Sequence, residues 1–146
     1  MNHISAHKGI LNLNRPYTEQ ELLDAPHSIL RHPGMPRCVF KLLWDVVQDG
    51  REIFAYVVNR SKNGDYYWVF AHVTPTFGSD GKISGYHSNR RIPRRPRQDR
   101  TPIYQQLLAV ENATPDRKAG LAKSTEVLHA PLKDVGQTYE QFVFSI

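Results

Sequence analysis

The sequence predicts an α+β domain in which an antiparallel meander of three strands is flanked by short helices. Three observations carry that prediction. Glu52–Asn59, Asp65–Thr74 and Ile83–Arg91 are β-rich runs with alternating side chains. The segments between them, Ser61-Lys-Asn-Gly64 and Gly78-Ser-Asp-Gly81, are turn sequences short enough to join antiparallel neighbours. Ahead of the strands, Val39, Leu43 and Val47 recur every four residues beside Phe40 and Trp44, which marks a helix with a broad aromatic face.

From the N-terminus, Lys8–Asn14 reads as a short helical piece. Thr18 and Glu21 have capping-box spacing, so a turn of helix is expected to start there. Ala25–Pro36 reads as loop. Pro36 suits the first turn of the following helix, and Gly50 its end. On the middle strand Tyr66, Trp68, Phe70 and His72 share one face, while Tyr67, Val69, Ala71 and Val73 share the other. Both faces carry apolar bulk, so both are expected to be covered. Helices are predicted over Pro102–Glu111, with Ile103, Leu107 and Val110 on one side, and over Asp116–Leu128, with Ala119, Leu121, Val127 and Leu128. Thr138 and Gln141 again have capping spacing, so the tail reads as a short helix, with a strand as the alternative.

A chain of 146 residues makes one domain with one core. Its apolar runs fall far short of the roughly 20 residues a membrane span needs, and Met1-Asn-His-Ile-Ser-Ala-His-Lys8 lacks a signal-peptide block. The single Cys38 forms no internal disulfide. A cytoplasmic protein without membrane insertion is therefore expected. Six arginines between Arg90 and Arg100, against Asp99, account for the whole net charge of +5. Pro93 and Pro96 deny that run a regular helix, and no aromatics interleave for base stacking. It reads as a solvated linker, and nucleic acid is not the expected partner.

Several separated segments carry a resemblance. Pro26-His-Ser-Ile-Leu-Arg-His32-Pro-Gly-Met-Pro36, Phe40-Lys-Leu-Leu-Trp44, Asn59-Arg60, Asn63-Gly-Asp-Tyr-Tyr-Trp68, Ala71-His-Val-Thr-Pro75 and Gly85-Tyr-His-Ser88 together resemble a PAS domain of the bacterial aerotaxis-receptor type, over Ile10–Pro93. The resemblance implies a five-stranded sheet flanked by short helices, holding FAD and relaying redox or oxygen status to a signalling protein in trans. By motif position it implies flavin contacts at Arg31, His32, Trp44 and Asn59. The side chains suit that chemistry: an indole makes a wall for a planar ring, and the other three supply polar groups for its heteroatoms. The sequence departs from the family pattern at Gly34, where the pattern has Asp. It also departs at the N-terminus, where room for one strand, His3–Ala6, stands in place of two. The missing sheet position is expected to be absent, or to be filled by a second copy in a homodimer or by Phe142-Val-Phe144.

Each candidate also has an ordinary role. His32 suits a tight loop, Trp44 a core, Asn59 a turn, and Arg31 solvent or an ion pair with Asp24 or Asp45. Cys38 lacks the Asn-Cys-Arg-Phe context of light-sensing relatives that form a flavin–cysteine adduct, so no adduct is expected. No metal site and no catalytic set of nucleophile, base and orienting group is visible. The expected organisation is a sensor domain over residues 1–93, an Arg/Pro linker over 94–101 and a helical extension over 102–146. The expected function is a non-enzymatic FAD-binding sensor. The alternatives are a cofactor-free docking module and a haem-binding gas sensor using His27 or His32.

Overall fold

The structure is a computed structural model that describes residues 17–23, 25–93 and 101–145. The expected helix at Lys8–Asn14, the expected strand at His3–Ala6 and residues 94–100 of the expected linker lie outside the described residues. The elements run α1 (Glu19–Leu22), a 3-10 turn (His27–Leu30), α2 (Arg37–Gln48), β1 (Ile53–Arg60), β2 (Tyr66–Phe77), β3 (Ile83–Arg91), α3 (Thr101–Ala113), α4 (Arg117–Asp134) and α5 (Tyr139–Ser145).

Local chemistry explains most of the boundaries. The Thr18 N–H donates to Glu21 Oε2 at 2.8 Å and the Glu21 N–H donates to Thr18 Oγ1 at 3.3 Å, the reciprocal pairing of a capping box. Ala25–Pro36, expected from sequence to be loop, contains a 3-10 turn. Leu30 and Met35 are buried; the turn, over His27–Leu30, leads into the first, and the Met35 N–H bonds to the His32 carbonyl at the second. Pro36 sits at the cap, one residue before α2 rather than inside it. α2 ends where Gly50 turns to φ +81°, with the Gly50 N–H on the Val47 carbonyl and the Arg51 N–H on the Val46 carbonyl, a Schellman motif.

The described strands form one antiparallel sheet in the order β1-β2-β3. Ile53 pairs with Val73 and Arg60 with Tyr66, across a turn in which Gly64 takes φ +91°. β2 continues past Thr74 to Phe77 because β3 pairs with it along that length, with a bulge at Thr76/Phe77. The inner face carries Ile53, Ala55, Val57 and Asn59 on β1 and Tyr67, Val69, Ala71 and Val73 on β2. α2 packs there, its Trp44 meeting Tyr86 edge-on at 5.4 Å between centroids.

The outer face carries Phe54, Tyr56, Trp68, Phe70 and His72, and the C-terminal helices cover much of it. Tyr104 of α3 lies against Trp68 and donates its hydroxyl to the Tyr56 carbonyl at 2.5 Å. Phe144 of α5 lies against Phe54 and Phe70. The tail is therefore a helix, capped reciprocally by Thr138 and Gln141, and Phe142-Val-Phe144 does not supply a strand. α4 runs past the expected Leu128 and through Pro131. Ser124, Leu128 and Leu132 form one buried stripe along it, and the stop is a second Schellman motif at Gly136, φ +64°. Burial outweighs the one hydrogen bond that Pro131 removes.

One buried carboxylate joins the extension to the sheet domain. Glu111 of α3 is 3% exposed. It accepts from the Arg37 N–H at 3.1 Å, Arg37 Nε at 3.0 Å, the Cys38 N–H at 2.9 Å and Ser124 Oγ at 2.9 Å. Pro36 has no side-chain oxygen to cap α2, so Glu111 does so from another element. Burial pushes its carboxyl upward, but the four donors outweigh that and leave it below the ordinary range. Gly120 is required beside it, because a Cβ there would lie 2.7 Å from the Glu111 carbonyl oxygen.

Candidate functional site

The inner face is apolar except at one end. There the backbones of Arg31 and Asn59 pair in an isolated antiparallel bridge, which brings the loop before α2 against the end of β1. Asn59 is 1% exposed, and neither its Oδ1 nor its Nδ2 has a hydrogen-bond partner among the described residues. Its strand partner is Tyr67, and Arg90 enters the same face from β3 opposite Ala71. Burial pushes the Tyr67 hydroxyl up, while the Arg90 guanidinium pulls it partly back. Burial likewise lowers Arg90, partly offset by Tyr67. A buried donor–acceptor amide thus shares an otherwise apolar surface with a half-buried phenol and a half-buried guanidinium.

The four residues implicated by motif position take different places. Arg31 is half-buried and is not paired with Asp45, which pairs instead with Lys41; Asp24, the other expected partner, lies outside the described residues. Its guanidinium lies 3.9 Å above the Phe40 ring, and its Nε is buried without a partner among the described residues. Trp44 stands half-buried over β3 through its contact with Tyr86. His32 accepts from the Gly34 N–H on Nδ1 at 3.0 Å, which puts the ring proton on Nε2, and packs on Tyr66 at 5.2 Å. Burial first, then the Arg60 charge, lowers its pKa. Tyr66 belongs to the outer face. The structure therefore groups Arg31 with Asn59 and sets His32 against the rim.

Sequence reasoning missed Tyr67 and Arg90. The period of two places Tyr67 on the inner face, but only the β2–β3 register separates Arg90 from the arginine run it begins. Cys38 is fully buried beside Ser124 and Glu111, and burial, the largest influence, raises its thiol to about 11. Among the described residues no group of three or more His, Cys, Asp or Glu is placed to hold a metal ion. No described helix is long and apolar enough to cross a membrane.

Short helices on an antiparallel sheet, with a polar cluster at one end of the face that α2 covers, define a small α+β domain. A family model for the PAS fold matches residues 16–89, half of the chain, and the chain belongs to that family. The aerotaxis receptor of Escherichia coli (strain K12) is 47% identical over 74 residues, covering 51% of this chain and 14% of that protein. A blue-light-activated histidine kinase of Rhizobium johnstonii is 29% identical over 80 residues, covering 55% and 23%. The chain thus spans under a quarter of either curated relative. Among solved structures, the dark structure of the blue-light photoreceptor Aureochrome1 LOV matches with a TM-score of 0.57 at 19% identity, over 75% of this chain and 74% of that one, a likeness of fold. The aerotaxis-type resemblance of the sequence is thereby borne out.

Proposed function

We propose that this chain is a flavin-binding PAS sensor, with FAD as its ligand, that passes redox or oxygen status to a signalling protein in trans. The observation that carries the reading is the Asn59 amide, buried on the inner face with donor and acceptor both unmet. Leaving such groups unpaired costs about 1–3 kcal/mol, a cost that a ligand with adjacent N–H and C=O groups relieves. The pyrimidine edge of a flavin has that pattern, and the flanking Val57, Val69 and Ala71 give its ring an apolar bed. Arg31 and Tyr67 supply further polar contacts, Trp44 an aromatic wall, and His32 a rim contact. When bound, the flavin supplies the redox chemistry; these residues bind it, orient it and exclude water. The likeness to an aerotaxis receptor supports the stimulus proposed.

The test is titration of FAD into purified protein, followed by quenching of flavin fluorescence, in wild type and Asn59→Leu. Wild type should quench and the variant should not. The ligand-free variant should also melt higher than ligand-free wild type, because a near-isosteric apolar side chain removes the unmet amide. An absence of quenching in wild type would leave a cofactor-free docking module as the function.

A further inference from the structure

The loop that carries Arg31 and His32 is coupled to α2 by a short, buried path. Met35 donates its N–H to the His32 carbonyl at 3.0 Å, and its side chain is buried. Pro36 follows, also buried, with φ held at −59° by its ring. Arg37 then opens α2, and one turn further Phe40 takes the Arg31 guanidinium on its ring at 3.9 Å. Trp44 stands another turn along the same helix. Little slack therefore separates the polar end of the inner face from the first turn of α2.

That first turn is held from the helical extension. Glu111 Oε2 accepts from the Arg37 N–H and Nε, and Oε1 accepts from the Cys38 N–H and Ser124 Oγ. Arg37 Nη1 also donates to the Arg117 carbonyl at 3.1 Å, so one guanidinium ties the start of α2 to both α3 and α4. Without the carboxylate, two N–H groups of a helix start lose their acceptor, and Pro36 has no side-chain oxygen to replace it. Cys38 is fully buried, so its N–H reaches water only if the turn lifts away from α3. The turn cannot lift without moving Met35 and Phe40, which support the loop.

We propose that Glu111 is a positioning residue of the flavin site: from the helical extension it fixes the start of α2, and through it the placement of Arg31 and Trp44 on the inner face. The proposal rests on the flavin reading above and goes beyond it. Glu111 lies outside the residues 16–89 that carry the family match, and its bonds run to Arg37, Cys38 and Ser124, none of which is assigned to the ligand. When only a fraction of molecules holds a competent pocket, the apparent Kd rises by the reciprocal of that fraction.

The experiment compares wild type, Glu111→Gln and Asp116→Ala on the full chain, at a temperature where all three are folded. Asp116 accepts from the Ala119 N–H at 2.7 Å, so its replacement uncaps α4 and weakens the extension without touching α2. Titration of FAD by fluorescence quenching should give a Kd about tenfold or more higher in Glu111→Gln and unchanged in Asp116→Ala. At saturating FAD the induced circular dichroism of the flavin should change in Glu111→Gln alone, a readout that lowered stability does not move. Equal Kd values and identical flavin spectra in wild type and Glu111→Gln would overturn the proposal, as would an equal loss of affinity in Asp116→Ala. Amide hydrogen exchange on the ligand-free proteins separates the proposal from the flavin reading. The Arg31 N–H, on the Ser28 carbonyl at 3.0 Å, and the Met35 N–H should exchange faster in Glu111→Gln and not in Asp116→Ala. Should wild type bind no flavin, the flavin reading fails and exchange alone decides whether Glu111 sets the loop: faster exchange in Glu111→Gln supports it, and unchanged exchange refutes it.

Discussion

Replacing Glu111 with glutamine removes one negative charge and one of two acceptor oxygens from the joint between α2, α3 and α4. The remaining amide oxygen can keep the two donors of one side, while the new NH2 faces the backbone N–H and the side-chain donor of the other, which need an acceptor. Loss of a helix cap costs about 1 kcal/mol. Loss of a charge-assisted bond to Arg37, whose side chain is 24% exposed and partly rehydrates, adds about 1.5–3 kcal/mol before that relief. A total near 3 kcal/mol corresponds to a fall in melting temperature of roughly 6–12 °C for a domain of this size. The effect has a pH signature. Because the folded carboxyl lies below its ordinary value, the stability it contributes is fully present above the unfolded value of about 4.3 and is lost as pH falls through the depressed folded value. Thermal melting of both proteins from pH 7 down to pH 3 should therefore show a gap that holds to about pH 5 and narrows below it. A variant that melts within 1 °C of wild type at pH 7, or a gap that does not narrow in acid, would refute the reasoning.

Ending the chain after Arg100 should cause aggregation, read by light scattering. It removes Tyr104 and Phe144 from an outer face of Phe54, Trp68 and Phe70 and the cap from α2; a soluble product with unchanged melting would disprove docking. Trp44→Ala should weaken FAD binding more than a hundredfold if the indole walls the ring, since losing a buried Trp contact costs on the order of 3 kcal/mol. His32→Ala, a change at the rim, should weaken it less and leave circular dichroism unaltered. Gly34→Asp would bring a Cβ to 3.0 Å from His32 Nδ1, so the ring must shift. The added carboxylate should raise the His32 pKa, measurable by proton NMR titration, and an unmoved pKa would rule out that proximity.

Much of this architecture follows from local chemistry. The capping boxes at Thr18 and Thr138, the Gly50 stop and the polar glycine turns are determined by neighbours in sequence, which is why their elements were legible. The aromatic spacing of α2 and the alternation of β2 likewise announced which faces would be buried. The pairing of Arg31 with Asn59 was legible only as two motif positions, not as a contact.

What only the tertiary structure decided are the matters set by partners distant in the chain. Pro131 is a stop signal by sequence, yet the buried stripe through Leu128 and Leu132 carries α4 beyond it. Arg90 belongs by composition to a solvated run, yet the register of β3 turns it into the polar cluster. Glu111 has no local signature, because its donors at Arg37 and Cys38 lie more than 70 positions away. The amino-acid sequence determined where helices and strands form, since those choices rest on backbone and near-neighbour energies; which polar groups were left buried and unmet depended on the packing of remote elements.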